Sequence, residues 1–447
     1  MPSNLTDYEK LTDKEHILHA PDTYIGSVQK DTVLGWTITP ESTMSYGHVE
    51  YIPGLYKLFD ESIVNARDHH VRMIDSLVLT DQPVKQINVT VDKATGEITV
   101  MNDGNGIDVA MHPQHKLWIP EMIFGHLRTS TNYNSEKKRI VGGKNGFGFK
   151  LVLIYSLYGR IETVDHVRGL KYVQEFKNNL DEICKPKITK CKGKPYTKVS
   201  FIPDFKRFGV KNLSTEMFNI MRKRTSDIGA VTDKSVKVAF NNEVVPYKTF
   251  QQYVNAYIGD KGDTPRAYEK EHERWEYTVC LSPLDEFTQV SFVNGINTSK
   301  GGTHVNYITN QIVKKLVSYI ELKKKVKVKA SVVREQIMVI LNCVVENPAF
   351  DSQSKEYLNT PQAKFGSSVK VTDKFIEKLA KMGIMKMALS LNEVKQTSVA
   401  KKSDGKKSKT IRGIPKLVDA NYAGGARSND CTLILCEGDS AQSVIIS

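Results

Sequence analysis

Apolar positions recur along this chain at two different periods. At Leu55, Phe59, Ile63 and Ala66 the spacing is three to four residues, which predicts a helix over 53–74. Pro53 suits its first turn, where a backbone N–H has no partner in any case. Residues 86–91 (Gln-Ile-Asn-Val-Thr-Val) and 97–101 (Glu-Ile-Thr-Val-Met) alternate with period two instead, and the Asp92-Lys93-Ala94-Thr95-Gly96 stretch between them predicts a hairpin. A helix is expected to restart after Gly148 and run through Lys150 to Tyr158, with further strands at 170–176 and 196–203. Helices accompanying antiparallel strands imply an α+β sandwich, the helices packed on one face of the sheet.

The polar stretch Gly259-Asp260-Lys261-Gly262-Asp263-Thr264-Pro265 interrupts this pattern, and a second unit is expected from residue 265. It holds strands at 275–282 and 288–294, a helix at 304–322, a strand at 337–345 and a closing helix from about 372 to 391. Residues 395–411 are rich in Lys, Ser, Thr and Gly without apolar periodicity, the composition of a mobile linker. Cys431-Thr432-Leu433-Ile434-Leu435-Cys436 reads as a buried strand running into Glu437-Gly438-Asp439-Ser440-Ala441, and the chain reads as cut inside a third domain. The expected division is 1–264, 265–391, a linker at 392–411, and 412–447.

Composition narrows the class. A length of 447 residues fits about three domains, and 40% hydrophobic with 25% charged residues supplies material for several cores. No run of eighteen apolar residues and no charged-then-apolar leader occurs, so neither a membrane span nor a secretory signal is expected. The cysteines Cys184, Cys191, Cys280, Cys343, Cys431 and Cys436 show no CxxC pair and are expected to be free thiols. His112 and His115 flank Pro113 without a further ligand nearby, a poor metal site. The formal charge of +13 leans towards a polyanionic partner. Lys323-Lys324-Lys325 with Lys327 and Lys329 forms one basic knot, and Lys401-Lys402 with Lys406-Lys407-Lys409 another; either suits phosphates or is simply a solvated charged loop.

Three motifs carry the candidate chemistry. Glu61, Asn65 and Asp68 share the polar face of the 53–74 helix, which is either solvated or turned to a nucleotide cavity. In the second case Glu61 could take a proton from water attacking a γ-phosphate, and the neutral Asn65 amide could ligate Mg²⁺ one helical turn away. Asn102-Asp103-Gly104-Asn105-Gly106 follows the strand at 97–101 and is either an ordinary turn or one where glycines let adenine approach and Asn102 receives its amino group. Gly142-Gly143-Lys144-Asn145-Gly146-Phe147-Gly148 is no Walker A loop. Its glycines permit amide N–H groups to face phosphates, with the positive end of a following helix and Lys144 and Lys150 as counter-charge; the alternative is a flexible surface loop.

With these motifs in this order, the chain resembles the GHKL (Bergerat) ATPases, which include bacterial gyrase, MutL, histidine kinases and large heat-shock chaperones. More narrowly it resembles eukaryote-type DNA topoisomerase II, a type IIA enzyme, in His16-Ile17-Leu18, Pro21-Asp22-Thr23-Tyr24-Ile25-Gly26-Ser27 and Leu58-Phe59-Asp60-Glu61. Thr129-Ser130-Thr131-Asn132-Tyr133, Ser291-Phe292-Val293-Asn294-Gly295, Lys300-Gly301-Gly302-Thr303-His304-Val305 and Asn347-Pro348-Ala349-Phe350-Asp351-Ser352-Gln353-Ser354-Lys355 extend the likeness from about Tyr8 to the last residue. The resemblance implies a GHKL ATPase sandwich, then a transducer domain with a ribosomal-protein-S5-like fold, then the beginning of a TOPRIM α/β fold. It implies ATP and Mg²⁺ as ligands, double-stranded DNA and a second copy of the chain as partners, and a nuclear location, or a cytoplasmic replication compartment for a viral source.

The same resemblance assigns roles. Glu61 would be the general base, Asn65 a ligand of the nucleotide's Mg²⁺ and Asn102 the adenine contact. Ser130, Thr131 and Asn132 would touch ribose and phosphates; Gly143, Lys144, Asn145, Gly146, Phe147, Gly148 and Lys150 would cradle the triphosphate. Gln353 and Lys355 would reach the γ-phosphate from the transducer, and Tyr8 would belong to a strap crossing to a second subunit's nucleotide. Glu437 would bind the TOPRIM metal, while Lys323, Lys324 and Lys325 are the expected DNA contacts. The chain departs from the family pattern at Lys144, where arginine is usual, at His69 and Asp103, where asparagine is usual, and at Ser354, where threonine is usual. Asp103 is expected to add a negative charge near the adenine. A mismatch-repair-type clamp or a chaperone-like GHKL ATPase would share the nucleotide motifs, but not Glu437-Gly438-Asp439-Ser440.

Overall fold

A computed structural model describes residues 10–75, 82–129, 138–143, 146–284, 286–390, 420, 422–423 and 425–435. The helical spacing around Phe59 becomes α1, Pro53–Asp75. Its apolar stripe (Leu55, Leu58, Phe59, Ile63, Ala66) is buried, each large side chain contributing roughly 1.5–3 kcal/mol. The opposite face is not solvated. Lys57, Asp60, Glu61, Arg67 and Asp68 are buried as well, so α1 runs through the interior with charge inside it.

The alternating segments become β3 (Gln86–Val91) and β4 (Ile98–Asp103), paired antiparallel with Val91 opposite Ile98. Asp92 Oδ1 accepts from the Ala94 N–H at 2.8 Å and Gly96 turns at φ +74°, which closes the hairpin. Asn102 was expected where the chain turns, yet β4 continues through Asp103, because Asn102 lies between Ile87 on one side and Thr197 on the other. The turn waits for Gly104, at φ +92°.

These strands sit in a nine-stranded sheet. Ahead of it, β1 (Asp31–Ile38) and β2 (Met44–Tyr51) form a separate hairpin. The sheet adds β5 (Ser156–Asp165), β6 (Leu170–Lys177), β7 (Glu182–Ile183), β8 (Lys187–Lys190), β9 (Tyr196–Pro203), β10 (Lys237–Phe240) and β11 (Glu243–Val244). Its order is β11-β10-β3-β4-β9-β5-β6-β7, with β8 also on β6; β10 runs parallel to β3 and the other pairs are antiparallel. Helix α2, Gly148–Ile154, stops short of the expected end at Tyr158. Residues from Ser156 pair with both β6 and β9, and two ladders satisfy more backbone groups than one further helical turn. Helix α3, Thr215–Val231, is capped by Ser214 and packs beside α1.

A second sheet follows, of β12 (Arg266–His272), β13 (Trp275–Leu281), β14 (Thr288–Val293), β15 (Ile296–Asn297) and β16 (Ile337–Cys343), in the order β12-β13-β16-β14-β15. Helix α4, Thr303–Lys324, starts behind Gly302, whose φ of +142° and a Cβ position 2.5 Å from the Leu358 nitrogen leave room only for glycine. The expected closing helix is α5, Asp373–Leu379, followed by a π turn at Ala380–Ile384 where Gly383 takes φ +103°, and by helical residues to 390. Both sheets belong to one compact unit, Met1–Met385; Lys386–Ser447 forms another. In the latter the expected buried strand is absent: residues 431–435 carry no regular structure, and Leu433, Ile434 and Leu435 are exposed. Among the described residues no strand pairs with this run, so its apolar composition alone does not bury it.

Candidate functional site

Buried charge on α1 has to be paired, and the pairing builds the site. The Glu61 carboxylate, 5% exposed, receives two ammonium groups on Oε1: Lys57 Nζ at 2.8 Å, one helical turn before it, and Lys355 Nζ at 2.9 Å. Lys57 is also 3.3 Å from Asp60 Oδ2, and Asp60 Oδ1 is 2.6 Å from Nε of the fully buried Arg224 on α3. Burial by itself would push Glu61 up, but Lys355 and Lys57 override it and hold the carboxyl at about 2. Asp60 follows the same logic: burial raises it, Arg224 and Lys57 more than offset that, and it too lies at about 2. Both acids are therefore ionised at neutral pH.

Lys355 arrives from the second sheet's side of the unit, 294 residues along the chain. It follows a turn at 351–354 that contains the partly buried Gln353, and the strand-like bridge Phe350↔Leu358 closes the loop behind it. The backbone of Lys355 is left-handed (φ +64°), which aims the side chain at α1. Asn65, one turn beyond Glu61, is partly buried on the same helix face. Its neutral amide oxygen is a donor that would suit a magnesium ion, whereas the Glu61 carboxylate beside it is taken up by two lysines.

The glycine-rich segment packs against this helix. A Cβ built on Gly148, the first residue of α2, would stand 2.4 Å from Glu61 Oε2. The N–H groups of Gly142 and Gly143 donate to Asp68 Oδ2 at 3.0 and 3.2 Å. These two amides tie the loop to α1. Gly146 has φ +68° and Phe147 is half-buried beside Tyr24. Lys150 is 4% exposed, and its ammonium donates to the Thr129 carbonyl oxygen at 2.8 Å. Burial pulls it down to about 8, the condition of a cation that gains from an arriving anion.

At the adenine motif, the buried Asn102 donates from Nδ2 to the Asp103 carbonyl oxygen at 2.8 Å. The Asp103 carboxylate, expected beside the adenine, accepts from the N–H groups of Lys85 and Gln86, each at 2.7 Å, and so starts β3. His69 Nε2 stands 2.8 Å from the Asn105 carbonyl oxygen; burial lowers His69 to about 4, so a neutral ring donates there and links α1 to the turn. Tyr8, Ser130, Thr131, Asn132, Lys144, Asn145 and Glu437 lie outside the described residues. Lys323, Lys324 and Lys325 are exposed at the end of α4, Lys325 being its left-handed cap (φ +58°). Cations there also complement the helix dipole.

Lys57 and Arg224 were absent from the motif reading. The i, i+4 spacing of Lys57 and Glu61 was a readable signal, whereas nothing local joins Arg224 to Asp60.

Comparison with known proteins places these features. The family described as "Histidine kinase-, DNA gyrase B-, and HSP90-like ATPase" matches residues 50–182, and that described as "DNA gyrase B" matches 249–409. DNA topoisomerase 2 of Pisum sativum is 43% identical over 98% of this chain, which spans 30% of that relative's length. The crystal structure of the ATPase region of Saccharomyces cerevisiae topoisomerase II is 40% identical, with a TM-score of 0.81, covering 88% of this chain and 100% of that one. The ATPase and transducer domains of DNA topoisomerase II from Balamuthia mandrillaris are 37% identical, with a TM-score of 0.82, covering 89% of this chain and 100% of theirs.

Proposed function

This chain belongs to the eukaryote-type DNA topoisomerase 2 family and spans its ATPase region, and from that premise we propose that it is the ATP-operated gate of a type IIA topoisomerase. In this reading ATP joins two copies of the chain around a DNA duplex, and hydrolysis with product release reopens the gate. Strand passage itself is a proposal for the longer protein, because the chain spans about three tenths of the curated relative's length. The segment 412–447 would begin a TOPRIM domain in which Glu437 binds metal.

The observation that carries this reading is the Lys355–Glu61 contact, which joins a loop of the second sheet's region to the acid on α1. Glu61 accepts a proton from water as the water oxygen attacks the γ-phosphorus; the bond to the ADP oxygen breaks and phosphate departs. Asn102 would receive the adenine amino group, and Lys150 with the 142–148 loop the phosphates. Asn65 would hold magnesium, which would supply charge neutralisation on the triphosphate. Lys355 exchanges the carboxylate for the γ-phosphate when ATP is present, so the loop's position reports nucleotide state.

The test is nucleotide-dependent assembly. With a non-hydrolysable ATP analogue the chain doubles in mass by light scattering and with ADP it does not; a monomer under both conditions overturns the gate reading. ATP-dependent relaxation of supercoiled DNA by the longer protein is the companion assay. Lys355→Ala is expected to lower ATP turnover by about a hundredfold while nucleotide affinity changes little, read by steady-state kinetics and calorimetry. Charge reversal at Lys323, Lys324 and Lys325 is expected to cut the stimulation of hydrolysis by DNA several-fold at low salt and less at high salt, since phosphate contacts are screened. Unchanged stimulation would leave that knot to the helix dipole alone.

A further inference from the structure

Glu61 is held by one more cation than a lone carboxylate needs, and the two differ in what fixes them. Lys355 rides on a loop. Lys57 is part of α1, 4% exposed at its side chain, and is braced by Asp60, which Arg224 grips at 2.6 Å. Arg224 in turn donates from Nη2 to the Gly295 carbonyl oxygen at 2.8 Å, in the turn between β14 and β15. Arg67 of α1 donates to the adjacent Asn294 carbonyl oxygen at 2.7 Å, so this bracing reaches the second sheet through two buried guanidinium groups. Both ammonium groups meet the same oxygen, Oε1; Oε2 is left over Gly148, at the mouth of the glycine-rich loop.

Building on the assignment of Glu61 as base, we propose that Lys57 is the positioning residue of the hydrolytic step: it retains and balances the Glu61 carboxylate when Lys355 leaves for the terminal phosphate. An ammonium does not leave a buried carboxylate for another anion if the carboxylate is thereby left without a counter-ion. Lys57 removes that obstacle because it stays. By engaging Oε1 it also fixes the carboxylate plane, so that Oε2 is the oxygen presented to the attacking water. Without Lys57 the acid keeps Lys355, and the loop does not reach the phosphate.

The experiment uses the full 447-residue chain with Lys57→Met, Lys57→Arg and Glu61→Gln, measuring steady-state ATP hydrolysis and the affinity of a non-hydrolysable ATP analogue. Lys57→Met is expected to lower kcat by at least about tenfold with KM and analogue affinity within about threefold, and Lys57→Arg to recover most of the loss. An unchanged kcat in Lys57→Met overturns the proposal. So does a joint loss of affinity and thermal stability that arginine does not rescue, which would assign Lys57 to packing alone. Should Lys57→Met fail to fold, the double variant Lys57→Met/Glu61→Gln decides: recovery of folding supports the pairing with Glu61, and continued failure overturns it. Turnover surviving in Glu61→Gln alone would sink the base assignment instead, independently of Lys57.

Discussion

Glu61→Gln lowers ATP turnover by about a hundredfold to ten-thousandfold, the usual worth of a positioned general base, while nucleotide binding survives. Glutamine keeps the length and one hydrogen-bonding oxygen but cannot accept the water proton. Its neutral oxygen no longer supplies a counter-charge to the two ammonium groups at 2.8 and 2.9 Å, so their hold weakens. Lys355 is the movable one, and the variant is therefore expected to close on ATP at least as readily as the parent and then stall. Single-turnover kinetics beside light scattering check this: a stable nucleotide-bound dimer without product is the expected result. Turnover within about threefold of the parent would exclude Glu61 as the base.

Arg224→Met costs about 3–5 kcal/mol of unfolding free energy, the largest stability effect expected from one substitution in this region. The side chain is fully buried, and its loss strips Asp60 of a 2.6 Å partner and leaves the Gly295 carbonyl oxygen unsatisfied. Methionine fills most of the space, so the cost measured is that of a buried charge left with Lys57 alone rather than of a cavity. The sign with pH follows from Asp60 and Glu61, both depressed to about 2. Carboxyls lowered on folding stabilise the protein above their unfolded values near pH 4, and that contribution fades as pH falls towards 2. In the variant the part of the Asp60 share that Arg224 supplies is already missing, Lys57 alone remaining, so the gap between parent and variant is expected to narrow on acidification. Denaturant titrations at pH 7 and at pH 3.5 read this directly, and a gap constant across the two would refute the charge-based account.

The motif residues were legible because their signals are local. Glu61 and Asn65 stand one helical turn apart on a helix announced by Leu55, Phe59 and Ile63, and Gly96 and Gly104 mark turns that occur. Where the reading missed, a distant segment had intervened. Asn102 stays in its strand because β9 pairs with it, and Tyr158 lies in a strand because β6 and β9 claim it. The run at 431–435 failed for the opposite reason: apolar sequence without a paired neighbour among the described residues does not make a buried strand.

Periodicity and turn chemistry act over a few residues, so the amino-acid order alone was enough for α1, the β3–β4 hairpin, the glycine-rich loop and the family resemblance they carry. The charge network was decided only in three dimensions. Asp60 meets Arg224 across 164 residues and Glu61 meets Lys355 across 294, pairings that no local spacing encodes. Packing removed water from every one of these groups, and a charge without water must take whichever partner the fold brings within reach.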